Sequence, residues 1–293
     1  LQFLTCQKTR GFLSIMIDKE LVFKWYNSLP IKFEMIKFLY NREMAVINKS
    51  DDGGKVTIRM LKCHNVQSFD FIKDYILKME QPNRLFNFYY SLAKYTNGIP
   101  NQDWRLQERN NAEWTKHHWE QMQSYDFLLD IDAGGFEELD YAYESAIEIK
   151  EFFDDKKIPY HLRFSGCGYH FIIPYIYLPQ ELSFNPFEPN DNIYKYCSRI
   201  GRMFHDDFSE LVDHKIYDSR RICKIPYSLS IYPKEDCAMI CFPFINDEQM
   251  KMVNNNYQML NYENLIPEIN KQRGNYMFNA EGKKNLELLN EVI

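Results

Sequence analysis

The chain reads as an α+β protein built on a β-α-β-β-α-β succession, and three observations carry that reading. Residues 127–131, 160–165 and 169–175 are dense in apolar residues or alternate at the two-residue period of a strand. Residues 137–153 and 193–210 read as helices; in the first, Leu139, Ala142, Tyr143, Ala146, Ile149 and Phe153 recur three or four apart, one stripe suited to lying on a sheet. Glycine-rich turns at Gly134-Gly135 and Gly166-Cys167-Gly168 punctuate the strands. This order is that of a split βαβ, RRM-like sheet.

Upstream, residues 44–47 and 56–60 flank Asp51-Asp52-Gly53-Gly54 and read as a β-hairpin. Residues 69–78 and 85–95 carry helical patterns, and further turns are expected at Asn97-Gly98-Ile99-Pro100 and across 185–192. Extended pieces follow the second helix and end near Phe242, and from about Asp247 the chain is polar, Asn-rich and expected to be helical. No repeat or low-complexity tract divides the sequence, so residues 1–293 are expected to form a single domain. Within it, 16–120 form an N-terminal αβ module, 121–245 the RRM-like module and 246–293 a helical tail; Met16 is a natural start, which leaves 1–15 as an upstream segment.

The 35 Lys and Arg against 41 Asp and Glu leave a formal charge of −6, which excludes a generically basic nucleic-acid coat. Hydrophobic residues at 45%, with 22 Phe and 21 Tyr, supply enough apolar surface for a large core and exclude a disordered polymer. Apolar runs fall well short of the ~18 residues a membrane span requires, and no secretory h-region is present, so a soluble, intracellular protein is expected, in cytoplasm, nucleoid or nucleus. The seven cysteines are scattered without a Cys-x-x-Cys pair, which argues against a disulfide framework and a four-thiolate zinc site. Cys63-His64, His117-His118, Cys237 and Cys241 read as buried thiols and ordinary histidines rather than metal ligands.

Chemistry concentrates first in Phe127-Leu128-Leu129-Asp130-Ile131-Asp132-Ala133-Gly134-Gly135. Residues two apart on a strand share a face, so Asp130 and Asp132 present paired carboxylates while Leu129 and Ile131 turn to the core. Such a pair is costly to desolvate, and Mg²⁺ or Mn²⁺ would resolve the conflict while leaving coordination positions for phosphates. Alone, the motif fits a solvated strand end before a Gly-Gly turn better than a metal site. In Tyr160-His161-Leu162-Arg163-Phe164-Ser165-Gly166-Cys167-Gly168-Tyr169-His170-Phe171, alternation places His161, Arg163 and Ser165 on one face, and the turn is expected to bring His170 opposite Ser165. A hydroxyl, an imidazole and approachable amides at a glycine turn suit a triphosphate. No strand-turn-helix elbow surrounds Ser165, which disfavours a serine hydrolase. Val212-Asp213 then offers a third carboxylate, and Arg220, Arg221 and Lys224 a cationic cluster for phosphate charge.

Taken in order, hydrophobic-Asp-hydrophobic-Asp, Ser-Gly-x-Gly-Tyr-His, and hydrophobic-Asp followed by Arg-Arg-Ile-x-Lys-x-Pro-x-Ser-Leu, the sequence resembles the archaeo-eukaryotic primase superfamily, in particular the small catalytic subunit of DNA primase. Asn41-Arg42-Glu43-Met44, Thr57-Ile58-Arg59-Met60 and Tyr89-Tyr90-Ser91-Leu92-Ala93-Lys94-Tyr95 are similar to the family's upstream segments, so the likeness spans about 33–245. The resemblance implies that Asp130, Asp132 and Asp213 hold two catalytic metal ions, Mg²⁺ or Mn²⁺, and that Glu43 joins the active centre. It further implies that Ser165, Gly166, His170 and Lys224 grip an incoming triphosphate, helped by Arg59 and Arg221.

Three departures stand out. Cys167 replaces a frequent arginine, for which Arg163 or Arg220 would compensate; Ser230 stands where a histidine often follows Ser-Leu; and no cysteine lies between Cys63 and Cys167, so no structural zinc is expected. The implied activity is template-directed primer synthesis on single-stranded DNA from NTP or dNTP, with a large primase subunit or replication helicase as partner. A non-catalytic RRM-like module for single-stranded nucleic acid, whose Tyr and Phe stack bases, and a metal-dependent nuclease are the competing readings.

Overall fold

A continuous apolar run, Met44-Ala45-Val46-Ile47, buried on both faces, forms the centre of the first sheet. Strand β1 (Met44–Lys49) pairs antiparallel with β2 (Lys55–Leu61), Val46 opposite Ile58, giving the expected hairpin. The computed structural model describes residues 19–49, 55–79, 85–96, 119–188, 192–232, 237–244 and 246–255, so the expected turns at 51–54 and 97–100, His117-His118 and the tail past 255 lie outside the described residues. On its other side β1 pairs with β3 (Leu85–Ser91), Val46 opposite Phe88. Residues 85–95, expected to be helical, are instead β3 and β4 (Ala93–Tyr95). The reason is the aromatic run: Phe88 is buried against Tyr26 and Phe69 from helices α1 (Lys19–Asn27) and α3 (Val66–Met79), with ring centroids at 4.8 and 5.4 Å, while Tyr89 points to the opposite face. Apolar residues that are covered on both faces of a strand satisfy a helical period by accident, and aromatic residues favour the pleated surface.

Helix α2 (Leu29–Lys37) follows α1, and α3, expected at 69–78, starts at an Asn65 cap whose Oδ1 accepts from Ser68 N at 2.8 Å. Strand β4 pairs with β5 (Met122–Tyr125).

The second sheet is built from the β-α-β-β-α-β region. Strand β6 (Phe127–Asp132), helix α4 (Leu139–Asp155), strands β7 (His161–Phe164) and β8 (Gly168–Ile173), and helix α5 (Ile193–Asp207) stand where their patterns placed them. The sheet order is β12-β7-β8-β6, with all pairs antiparallel and β12 (Phe242–Pro243) at the edge. The stripe on α4 is buried at Leu139, Ala142, Ala146, Ile149 and Phe153; Phe153 meets Phe171 of β8 at 5.3 Å edge to face, and Phe204 of α5 at 5.2 Å. Helix α4 therefore covers one face, with α5 packed against it, and the opposite face meets the first sheet through Arg163, which donates to Tyr90 and Cys223. Asn192 caps α5 by accepting from Lys195 N at 2.9 Å. Beyond α5 the chain returns beside β6 as a single antiparallel bridge, Val212 to Ile131, rather than a strand.

The segment after that bridge links the sheets. Strand β9 (Ile222–Lys224) belongs to the first sheet, order β2-β1-β3-β9, with Cys223 opposite Tyr90. Strands β10 (Leu229–Tyr232) and β11 (Cys237–Ile240) form a separate hairpin, and α6 (Asp247–Asn255) is the described start of the expected helical tail. Among the described residues no helix is long and apolar enough to cross a membrane.

The β7–β8 turn corrects one expectation. Ser165 N donates to Gly168 O at 2.9 Å, so Gly166 and Cys167 alone make the turn and His170 falls opposite Arg163, not Ser165. A two-residue hairpin fixes that register. Gly166 (φ +102°) and Gly168 (φ +144°) occupy backbone regions that side chains resist, and a Cβ on Gly168 would lie 2.0 Å from the Ile131 carbonyl oxygen. Gly168→Ala is expected to lower stability by more than about 2 kcal/mol in urea denaturation, from backbone strain plus that clash.

Candidate functional site

Strand alternation turns Leu128, Asp130 and Asp132 into the wall of a cleft of about 750 Å³ between the two sheets, while Leu129 and Ile131 are fully buried on the other face. His170, opposite Asp130 on β8, places Nε2 3.1 Å from Asp130 Oδ1, and Arg221 Nη2 donates to Oδ2 at 3.0 Å. Burial alone would raise the Asp130 carboxyl, but His170 and then Arg221 outweigh it and hold it at about 2. The imidazole of His170 is pushed up in turn: the Cys223 sulfur and Asp130 overcome the effect of burial. Asp132, at the exposed end of the strand, has no such partner among the described residues, and partial withdrawal of its carboxylate from water together with the neighbouring Asp130 charge pushes it up to about 6.

The opposite wall comes from β9 and β2. Lys224 Nζ donates to Ser165 O at 2.7 Å and to Ser230 Oγ, and lies over the Tyr89 ring at 5.9 Å. Ser230, noted as a departure from a frequent histidine, thus holds this lysine, and its Cβ lies within 2.3 Å of where a Gly166 side chain would begin. Ser165 and Cys167 line the cleft; Gly166 shapes the turn between them without reaching the wall. Arg59 projects from β2 into the cleft and is held from behind by a two-pronged ion pair to Glu43 and by donation to Arg220 O at 2.8 Å. Glu43 is fully buried and absent from the wall, so its observed contact is with Arg59 and not with the cleft.

Asp213 is tied to the same strand by its backbone: its N–H donates to Asp130 O at 2.9 Å. Its exposed carboxylate accepts from Lys215 N at 3.0 Å and does not line the cleft. Among the described residues no three His, Cys, Asp or Glu side chains are gathered as a ready metal site. The chemistry of Asp130 and Asp132 does fit a hard divalent ion. They are same-face carboxylates, one of them unpaired and held near 6 by burial and like charge, which is the conflict such an ion relieves.

Of the residues singled out in the sequence, Asp130, Asp132, Ser165, His170, Arg59, Arg221 and Lys224 converge on the one cleft. Tyr89, Thr57 and Cys223 also line it and were not singled out as site residues. Tyr89 was obscured by reading β3 as a helix. In the Arg-Arg-Ile-x-Lys-x-Pro pattern Cys223 fills the unspecified position, which gives it no distinguishing mark among seven scattered thiols.

Two sheets meeting at a cleft of carboxylates and cations make a fold that solved structures share. In particular, the chain is similar to the polymerase domain of Mycobacterium tuberculosis ligase D, solved in complex with DNA. The TM-score is 0.52 at 10% identity, over 89% of this chain and 92% of that one. No protein-family model matches the sequence, and no curated protein does either.

Glu43→Ala would leave a largely buried guanidinium without its carboxylate and is expected to cost roughly 3 kcal/mol in urea denaturation. Asp132 has a folded-state value of about 6 against an ordinary 3.8. The unfolded chain therefore gives up this proton first, and folded-state stability falls as pH rises between those values. In metal-free protein, Asp132→Asn should remove that slope, so its Tm gains on wild type across this window in a calorimetric pH series and the gain persists above it.

Proposed function

We propose that the protein is a template-directed nucleotidyltransferase of the primase-polymerase kind, making short primers on single-stranded DNA from NTP or dNTP. The observation that carries this reading is one cleft with Asp130 and Asp132 on one wall and His170, Arg221, Lys224 and Arg59 around it, in a fold similar to a DNA-bound polymerase domain. Paired carboxylates facing a cationic pocket are what transfer from a triphosphate needs, because the work is mostly positioning and charge neutralisation.

In this reading Lys224, Arg221 and Arg59 bind triphosphate oxygens, His170 donates from Nε2, and Ser165 adds its hydroxyl at the glycine turn. Asp130 and Asp132 hold Mg²⁺ or Mn²⁺, with Asp213 beside them on the bridged segment. When bound, these ions would favour the 3′-alkoxide and neutralise the leaving pyrophosphate. The 3′-oxygen forms a bond to the α-phosphorus as the bond to the pyrophosphate oxygen breaks. Glu43 keeps Arg59 aimed into the cleft and acts through it. The second sheet is read as a split βαβ whose fourth strand is reduced to the Val212 bridge. A large primase subunit or a replication helicase would be the assembly partner.

The test is labelled-nucleotide incorporation on unprimed single-stranded DNA with Mn²⁺. Wild type should build polymer, and Asp130→Ala/Asp132→Ala should lose on the order of 10³-fold in rate, about 4 kcal/mol of transition-state stabilisation. Equal product from the double variant would remove the assignment of the carboxylates. Shortening of DNA would point to a nuclease, and binding without either reaction to a non-catalytic module.

A further inference from the structure

Behind the cleft, Arg163 is a buried guanidinium without a carboxylate. It stands on β7 at 3% exposure, and among the described residues no Asp or Glu pairs with it. Its Nη2 donates to Tyr90 Oη at 3.0 Å and to Cys223 Sγ at 2.7 Å, its guanidinium lies 5.4 Å from the Tyr90 ring centroid, and its Nε has no partner. Arginine keeps its charge inside a protein, and a buried charge without a counter-ion is costly. The group placed to supply a compensating negative charge is the sulfur of Cys223, itself 2% exposed and brought there by β9 pairing with β3.

The same sulfur lies 3.4 Å from Nδ1 of His170, whose Nε2 faces Asp130. Arg163, Cys223, His170, Asp130 and Arg221 therefore form one continuous series from the buried seam to the cleft, with the sulfur between the guanidinium and the imidazole. We infer that Cys223, backed by Arg163, is a positioning residue for His170: its sulfur accepts from Nδ1, fixes the ring plane and directs Nε2 toward Asp130 and the triphosphate pocket.

The chemistry of the thiol agrees. Burial pushes it up, but Arg163 and His170 outweigh burial and bring it down to about 7, the behaviour of a cysteine set among cations. Cys197, equally buried but without such neighbours, is pushed up instead. An imidazole has two distinct nitrogens, and the partner of one decides what the other presents. The role assigned to Cys223 runs through its contact with His170, so its effect is transmitted through the ring. That consequence for nucleotide binding rests on the primase-polymerase reading; the orientation of the ring does not.

Two measurements separate the two. Long-range ¹H–¹⁵N spectra of histidine-labelled protein, with His170→Gln used for assignment, should show the His170 Nδ1 signal displaced in Cys223→Ala and in Arg163→Met, and partly restored in Cys223→Ser. Urea denaturation should show Cys223→Val and Arg163→Met each destabilising but the double variant recovering most of the loss, because an apolar pair replaces the charged one. Nucleotide titration should then give a Kd for Mg-NTP raised about tenfold in Cys223→Ala, with Cys223→Ser intermediate. An unchanged Nδ1 signal together with additive single and double variants would overturn the inference, whatever the nucleotide result. If wild type binds no nucleotide while the Nδ1 displacement and the coupling appear, the positioning role stands and the primase-polymerase reading fails.

Discussion

Two aspartates on one face of a strand, half withdrawn from water, are a destabilising arrangement unless something answers their charge, and the contact that answers it here is Asp130 with His170 across β6 and β8. Arg221 completes the balance from the other side. The pairing depends on register, since a one-residue slip of β8 would send His170 to the helix-covered face and bring Tyr169 or Phe171 into the cleft. That register is held by the two-residue turn and by the close seating of Gly168 against the Ile131 carbonyl. The polar site is therefore only as well defined as an apolar, glycine-specific backbone contact a few residues away.

The cleft is a seam between sheets rather than a hole within one. Carboxylates come from the strand beside α4, and the cations come from strands of the other sheet: Arg59 from β2 and Lys224 from β9, with Arg221 just ahead of it. Two of these cations are fastened from behind, Arg59 by Glu43 and Lys224 by Ser165 O and Ser230 Oγ. A cluster of positive groups held this way presents charge to the cleft without first having to be ordered, which is how a pre-organised phosphate site differs from a mobile basic patch.

Much of this was legible in the sequence because it follows from period and turn chemistry. The Asp-x-Asp strand, the α4 stripe, the Gly-Cys-Gly turn and the order of elements from 127 to 207 all express local rules. What was misread depended on distant partners. Residues 85–95 look helical until β1 and β9 are placed on either side of β3, and His170 was set opposite Ser165 because the size of the turn fixes register in a way that alternation alone does not. Glu43 was marked out by resemblance, but its contact with Arg59 is a property of the hairpin that brings β2 beside β1. Cys223 could not be distinguished from the other thiols, because what makes it different is the arrival of Arg163 from the second sheet.

The bridging position of β9 also bears on how the chain acquires its structure. Asp130 and Arg221 are 91 residues apart, so a chain emerging from the ribosome exposes its paired carboxylates long before the arginine that neutralises them has been made. Until the Arg221 segment docks, Asp130 has only His170 to answer its charge on the face that becomes the cleft. A chain ending before residue 220 would lack both Arg221 and Lys224, and so two of the cations that face the paired carboxylates.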